Sequence, residues 1–157
     1  MRKIFGQTIV ALAAKDSRLI LLTGDVEQEM AGYKKLFPLR FMNLGLCEQS
    51  IISISAGMAL EELRPVVYSI TPFLLERPFE QIKLDIDEHN LPVMLIGYSD
   101  YPTHGPTHRP LNAEVLSSAF KNIKSYFPRN SEEVKKNMIE AYNSGGASFI
   151  SLKKEAI

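Results

Sequence analysis

The sequence predicts an α/β fold, with a mostly parallel central sheet and helices on both faces, and three observations carry that prediction. Helical and strand patterns alternate along the chain. The first strand pattern, Leu19-Ile20-Leu21-Leu22, is a short continuous apolar run, as expected of a strand covered on both faces. The chemically unusual segments, Gly24-Asp25, Cys47-Glu48, Thr71-Pro72-Phe73 and the loop over 99–110, all follow strand patterns. That places them together at the carboxyl end of the sheet, where ligands bind in such folds.

In chain order, residues 4–14 carry apolar side chains near helical period, with Ile4, Ile9, Leu12 and Ala13 as the expected buried stripe. The strand over 19–22 follows. Residues 24–38 are polar and mixed and read as a loop with one helical turn. A second short strand is expected over 40–44. A helix is expected over 48–60, where Ser53, Ser55, Ala56 and Gly57 allow close packing. The third strand covers 65–70. A helix over 73–87 must be kinked or restarted by Pro78, which has no backbone N–H to give.

The fourth strand covers 91–97, and the Pro, Gly, Thr and His content of 99–110 makes it a loop. A short helix over 113–120 and a strand over 123–127 come next. Ser131 is the expected cap of a helix running to Tyr142, which Asn143-Ser144-Gly145-Gly146 ends. The last strand is 148–152. No repeat or linker divides the 157 residues, so one domain over 1–157 is expected.

With 18 basic and 18 acidic residues, the formal charge is zero, which gives no nucleic-acid or membrane-surface footprint. No apolar run is long enough to span a bilayer. The segment from Met1 to Gln7 lacks the apolar core of a signal peptide, so a cytoplasmic protein is expected. The single cysteine, Cys47, excludes an internal disulfide and a cysteine-rich zinc site and reads as a small packing residue.

Glu48 is the sharpest feature. It enters the small, apolar run over 50–60, and a carboxylate there is costly unless something binds it. Its bland reading is a first-turn glutamate favoured by the helix dipole. Phe73 is a pocket wall or a core residue. Arg77 has Glu76, Glu80 or the pocket open to it. Asp25 follows the first strand, and a loop aspartate satisfying backbone amides accounts for it equally. His104 and His108 lie four apart, but Gly105-Pro106 between them prevents the helical geometry of a zinc pair. No metal site of this chain's own is expected.

The segments Asn43-Leu44-Gly45-Leu46-Cys47-Glu48-Gln49, Thr71-Pro72-Phe73-Leu74-Leu75-Glu76-Arg77 and His104-Gly105-Pro106-Thr107-His108-Arg109-Pro110 occur in that order. Together they resemble the pyrimidine-binding domain of the transketolase family of thiamine diphosphate enzymes, over essentially the whole chain. The resemblance implies that Glu48 hydrogen-bonds the ring nitrogen of the cofactor's aminopyrimidine and so activates it. It implies that Phe73 stacks on that ring and that Asp25 lies near the cofactor's thiazolium end. His108 would act on the substrate carbonyl or hydroxyls; histidine changes charge near neutral pH. His104, Arg109 and Arg2 would bind substrate, Arg2 through a phosphate, with Lys153 near the place of a second phosphate ligand.

The sequence also departs from the pattern. Transketolases usually carry aspartate where His104 stands and glutamine where Arg109 stands, and the loop over 98–103 is short. An added histidine and arginine suit an anionic or differently shaped acceptor. Gly24-Asp25-Val26 is not the Gly-Asp-Gly segment that, with a downstream Asn, holds magnesium and the diphosphate.

The resemblance therefore implies a partner subunit that binds the diphosphate and Mg2+, in a heterodimer or heterotetramer. It implies transfer of a two-carbon ketol unit from a ketose sugar to an aldehyde acceptor. A 2-oxo acid or acyl-transfer subunit and a non-catalytic binding remnant are the alternatives. A nucleotide-binding or flavodoxin-like module would need a Gly-rich phosphate loop after the first strand, which residues 22–26 do not supply.

Overall fold

The computed structural model describes residues 1–99 and 105–154. Six strands form one sheet in the order β2-β1-β3-β4-β6-β5. They are β1 (Leu19–Thr23), β2 (Phe41–Asn43), β3 (Arg64–Ile70), β4 (Met94–Tyr98), β5 (Lys124–Tyr126) and β6 (Ser148–Leu152). Every pairing is parallel.

Because successive side chains point to opposite faces, the strands feed two separate cores. One face packs Leu19 and Leu21 of β1, Val66 and Tyr68 of β3 and Ile96 of β4 against α1 (Arg2–Ala13), α2 (Ala31–Leu36) and α6 (Ser131–Ser144). There Phe5 stacks on Tyr68, with ring centroids 4.7 Å apart. The other face packs Leu22, Val67, Leu95 and Phe149 against α3 (Glu48–Leu60) and residues 72–87.

The chain leaves β1 for β2 on one side, then crosses to β3 on the other. The carboxyl ends of β1 and β3 therefore flank a topological switch point, the favoured crevice for ligands in open parallel sheets. Gly24 follows β1 there, and α3 delivers Glu48 to it. Gly24, Glu48, Ser69 and Leu74 line one small cavity at this point.

Several local expectations are corrected. The first helix buries Phe5, Thr8, Ile9 and Ala13, whereas Ile4 and Leu12 are only half-buried. The stretch after β1 holds more helix than one turn: a 3-10 turn at Gln28–Met30 leads into α2. Asn130, not Ser131, caps α6, its side chain accepting from the Glu133 N–H at 2.9 Å.

The expected helix over 73–87 is two π-helical stretches, Pro72–Glu76 and Ile82–Asp87, around a short α4 (Phe79–Gln81). Pro78 explains the first. It cannot donate to the carbonyl a turn earlier, and the turn before it widens so that the Arg77 N–H reaches the Pro72 carbonyl at 3.3 Å. The helix expected over 113–120 is confined to α5 (Ala113–Ser117).

Asp87 closes the second stretch. Its carboxylate, 2% exposed as a residue, accepts from the backbone N–H groups of Lys121, Asn122 and Ile123 at 3.0, 2.7 and 3.0 Å. That fixes the approach to β5.

Candidate active site

Glu48 is the first residue of α3, where a carboxylate is favoured by the helix dipole. Its side chain is 8% exposed, and its Oε1 accepts a hydrogen bond from Arg77 Nη1 at 2.9 Å. Burial without such a partner would be costly, and the ion pair removes that cost. Arg77 reaches Glu48 from the widened turn after β3. Its guanidinium carbon lies over the Phe73 ring, 3.5 Å from the centroid, a close cation–π contact. Gln49 Nε2 donates to the Arg77 carbonyl at 3.4 Å.

Phe73 is buried at 8% exposure. Its ring meets the His108 imidazole edge-on, with centroids 5.0 Å apart and planes at 66°. His108 ends the 3-10 turn Pro106–His108, and the Thr107 hydroxyl lies 3.1 Å from its Nδ1. Gly105 starts that turn at φ +84°, a conformation in which glycine has no penalty. The loop is tied back to the site by Glu76, whose Oε1 accepts from the Leu111 N–H at 2.8 Å. Glu48, Arg77, Phe73 and His108 thus form one chain of contacts drawn from three separate segments.

Asp25 is exposed on the loop after β1 at φ +75°, its N–H donating to Asn43 Oδ1 at 3.1 Å. That loop rests close against the start of α3: a Cβ on Gly24 would stand 2.6 Å from the Gly45 carbonyl oxygen. Arg109 is exposed. His104 lies outside the described residues. Arg2 pairs through Nε with Glu29 Oε1 at 3.2 Å, and its guanidinium lies over the Tyr98 ring at 4.4 Å. These groups line a cavity of about 290 Å³ with Lys3, Lys153 and Lys154, so Arg2 and Lys153 do share one basic recess.

Of the options open to Arg77, the structure takes Glu48 over the neighbouring Glu76 and Glu80. Two contributors escaped the sequence reading: Glu29 and Tyr98, which hold Arg2.

Over residues 1–157 the sequence matches the family described as "Transketolase, pyrimidine binding domain". The chain belongs to that family. Membership carries dependence on thiamine diphosphate. Among curated relatives, the pyrimidine domain is 28% identical over 156 residues to a 1-deoxy-D-xylulose-5-phosphate synthase of Prochlorococcus marinus (strain NATL2A), covering 97% of this chain and 25% of that protein. It is 32% identical over 127 residues to an apulose-4-phosphate transketolase subunit of Actinobacillus succinogenes, covering 79% of this chain and 41% of that protein.

Among solved structures, one described as "Split gene transketolase, inactive beta4 tetramer" superposes with a TM-score of 0.88 at 22% identity, covering 99% of this chain and 52% of that one. The transketolase of Campylobacter jejuni subsp. jejuni NCTC 11168 gives 0.84 at 18% identity, over 97% and 25%. The pyrimidine domain therefore spans between a quarter and about half of these proteins. The two structural matches establish the fold.

The site suits an aminopyrimidine. A buried carboxylate and an aromatic face converge on one planar N–H donor, which Arg77 supplies here. Among the described residues no group of three or more His, Cys, Asp or Glu side chains could hold a metal ion. No helix among them is long and apolar enough to cross a membrane.

Proposed function

We propose that this chain is the pyrimidine-binding subunit of a split, transketolase-like enzyme. It would work in the cytoplasm with a partner chain that binds the diphosphate and Mg2+. The observation that carries the reading is the convergence of Glu48 and Phe73 on one planar cation, at 2.9 and 3.5 Å. When bound, thiamine diphosphate would supply the carbanion chemistry of the reaction.

The chain's own residues do the rest. Glu48 would hold a ring nitrogen of the bound aminopyrimidine and exchange a proton with it, so controlling the amino group. Phe73 fixes the plane of the pyrimidine by stacking. His108, held against the Phe73 ring, donates or accepts a proton at the substrate oxygen. His104 and Arg109 bind substrate. Asp25 would lie near the thiazolium end. Arg2 and Lys153, in their basic recess, receive an anionic end of the substrate. The reaction is two-carbon ketol transfer from a ketose to an aldehyde.

The relatives include 1-deoxy-D-xylulose-5-phosphate synthases as well as a transketolase subunit. A 2-oxo acid or acyl-transfer reaction is therefore the second reading. Supplying a ketose phosphate and a 2-oxo acid in turn as donor separates the two.

The partner is tested by affinity purification of the tagged chain from its native cells, followed by mass spectrometry. A stoichiometric companion carrying Gly-Asp-Gly and the downstream Asn is expected. A chain that emerges alone and binds no thiamine diphosphate with Mg2+ would favour a non-catalytic remnant.

A further inference from the structure

Resting on the pyrimidine-site reading above, we propose that Arg77 and the cofactor's aminopyrimidine compete for the same place. Arg77 would be the residue that thiamine diphosphate must displace from between Glu48 and Phe73.

The two contacts expected of the pyrimidine are a hydrogen bond to the Glu48 carboxylate and a stack on Phe73. Arg77 makes both, at 2.9 Å and 3.5 Å. A carbon 3.5 Å from the ring centroid covers that face at van der Waals separation, so no second ring fits between them. Phe73 is only 8% exposed, and the His108 ring packs against it with centroids 5.0 Å apart, so little of the ring remains for another partner.

The guanidinium suits this role chemically. It is planar, it stacks on aromatic faces, and its N–H groups match a carboxylate. An aminopyrimidine shares all three properties. Exchange of one for the other leaves Glu48 paired throughout, which avoids the large cost of a buried carboxylate with no partner.

Arg77 also has somewhere to go. Its side chain is 39% exposed, against 8% for Glu48, so it stands at the mouth of the site and not inside it. The widened turn that carries it is held at its carbonyl by Gln49, and this anchors the backbone while leaving the side chain able to rotate outward. Glu48 and Phe73 thus stay covered until a stacking ring with a suitable N–H arrives.

The test titrates thiamine diphosphate with Mg2+ into the chain assembled with its diphosphate-binding partner and reads saturation-transfer signals of the pyrimidine protons. Native protein is compared with Arg77→Met, Arg77→Lys, Glu48→Gln and Phe73→Leu. Arg77→Met is expected to bind more tightly by on the order of tenfold, equivalent to about 1.4 kcal/mol. Arg77→Lys should fall between Arg77→Met and native, because lysine keeps the charge but loses the planar stack.

If native binding depends on Glu48 and Phe73 while Arg77→Met binds equally or more weakly, Arg77 assists the ring and the competition is refuted. If neither native nor Arg77→Met shows binding sensitive to Glu48→Gln or Phe73→Leu, the pyrimidine-site reading fails as well.

Discussion

Arg77 joins Glu48 to Phe73: its Nη1 lies 2.9 Å from the Glu48 carboxylate, and its guanidinium carbon lies 3.5 Å above the Phe73 ring. Glu48 and Arg77 are 29 residues apart in sequence. Their meeting depends on the order of the sheet, which sets α3 beside the segment after β3.

Phe73→Leu keeps an apolar side chain of similar size but removes the aromatic face. Cofactor affinity in the assembled enzyme should fall by about 1–3 kcal/mol, the worth of one stacked aromatic contact. Isothermal titration measures this. An unchanged affinity would make Phe73 a packing residue only.

His108→Gln should lower turnover by on the order of 10²–10⁴-fold, the usual contribution of a positioned general acid or base. Cofactor affinity should change little, because the two contacts expected of the cofactor are made by Glu48 and Phe73. Steady-state kinetics and a cofactor titration separate these effects. The reverse pattern would place His108 against the cofactor.

Asp87→Ala leaves three backbone N–H groups without their acceptor and should destabilise the fold by about 2–4 kcal/mol. Asp87→Asn keeps one acceptor oxygen and should lose less. Urea unfolding followed by circular dichroism ranks the two variants.

Asp16 tests the acid side of stability. Arg18's guanidinium, with help from the Arg18 N–H and the Tyr142 hydroxyl, holds the Asp16 carboxyl well below the usual carboxylate range, against the opposing effect of partial burial. A depressed pKa in the folded state gives stability that is full above the unfolded value, about 3.9, and is lost as pH falls below it. Asp16→Asn should therefore lower the thermal midpoint at neutral pH. The gap from native should close as pH drops below about 4. A gap that stays constant with pH would mean that the carboxylate's charge contributes nothing.

Much of this was legible in the sequence, for identifiable reasons. Apolar runs such as Leu19 to Leu22 lie in the doubly covered strands, and their continuity pointed to the parallel sheet. Glu48 and Phe73 stood out because a carboxylate and an aromatic bordered strand ends. Element boundaries were less legible. Pro78 signalled a break, but periodicity has no way to show that the turn before it would widen to a π-helix.

The destination of Arg77 was hidden for a different reason. Glu76 and Glu80 are its neighbours in sequence, yet Glu76 turns to the Leu111 N–H and leaves Arg77 to a carboxylate from another helix. Partner choice between near and far carboxylates is decided by tertiary geometry, which residue spacing does not encode.

The most direct measurement is the rate at which the cofactor's thiazolium C2 proton exchanges with D2O, read by quenched-flow NMR on the chain assembled with its diphosphate-binding partner. Native enzyme is compared with Glu48→Gln at saturating thiamine diphosphate. If Glu48 controls the protonation of the aminopyrimidine, the variant exchanges slower by on the order of 10²–10⁴-fold while its circular dichroism is unchanged. Equal exchange rates in the two proteins would contradict the role given to Glu48, and with it the reading of this chain as the activating half of the site.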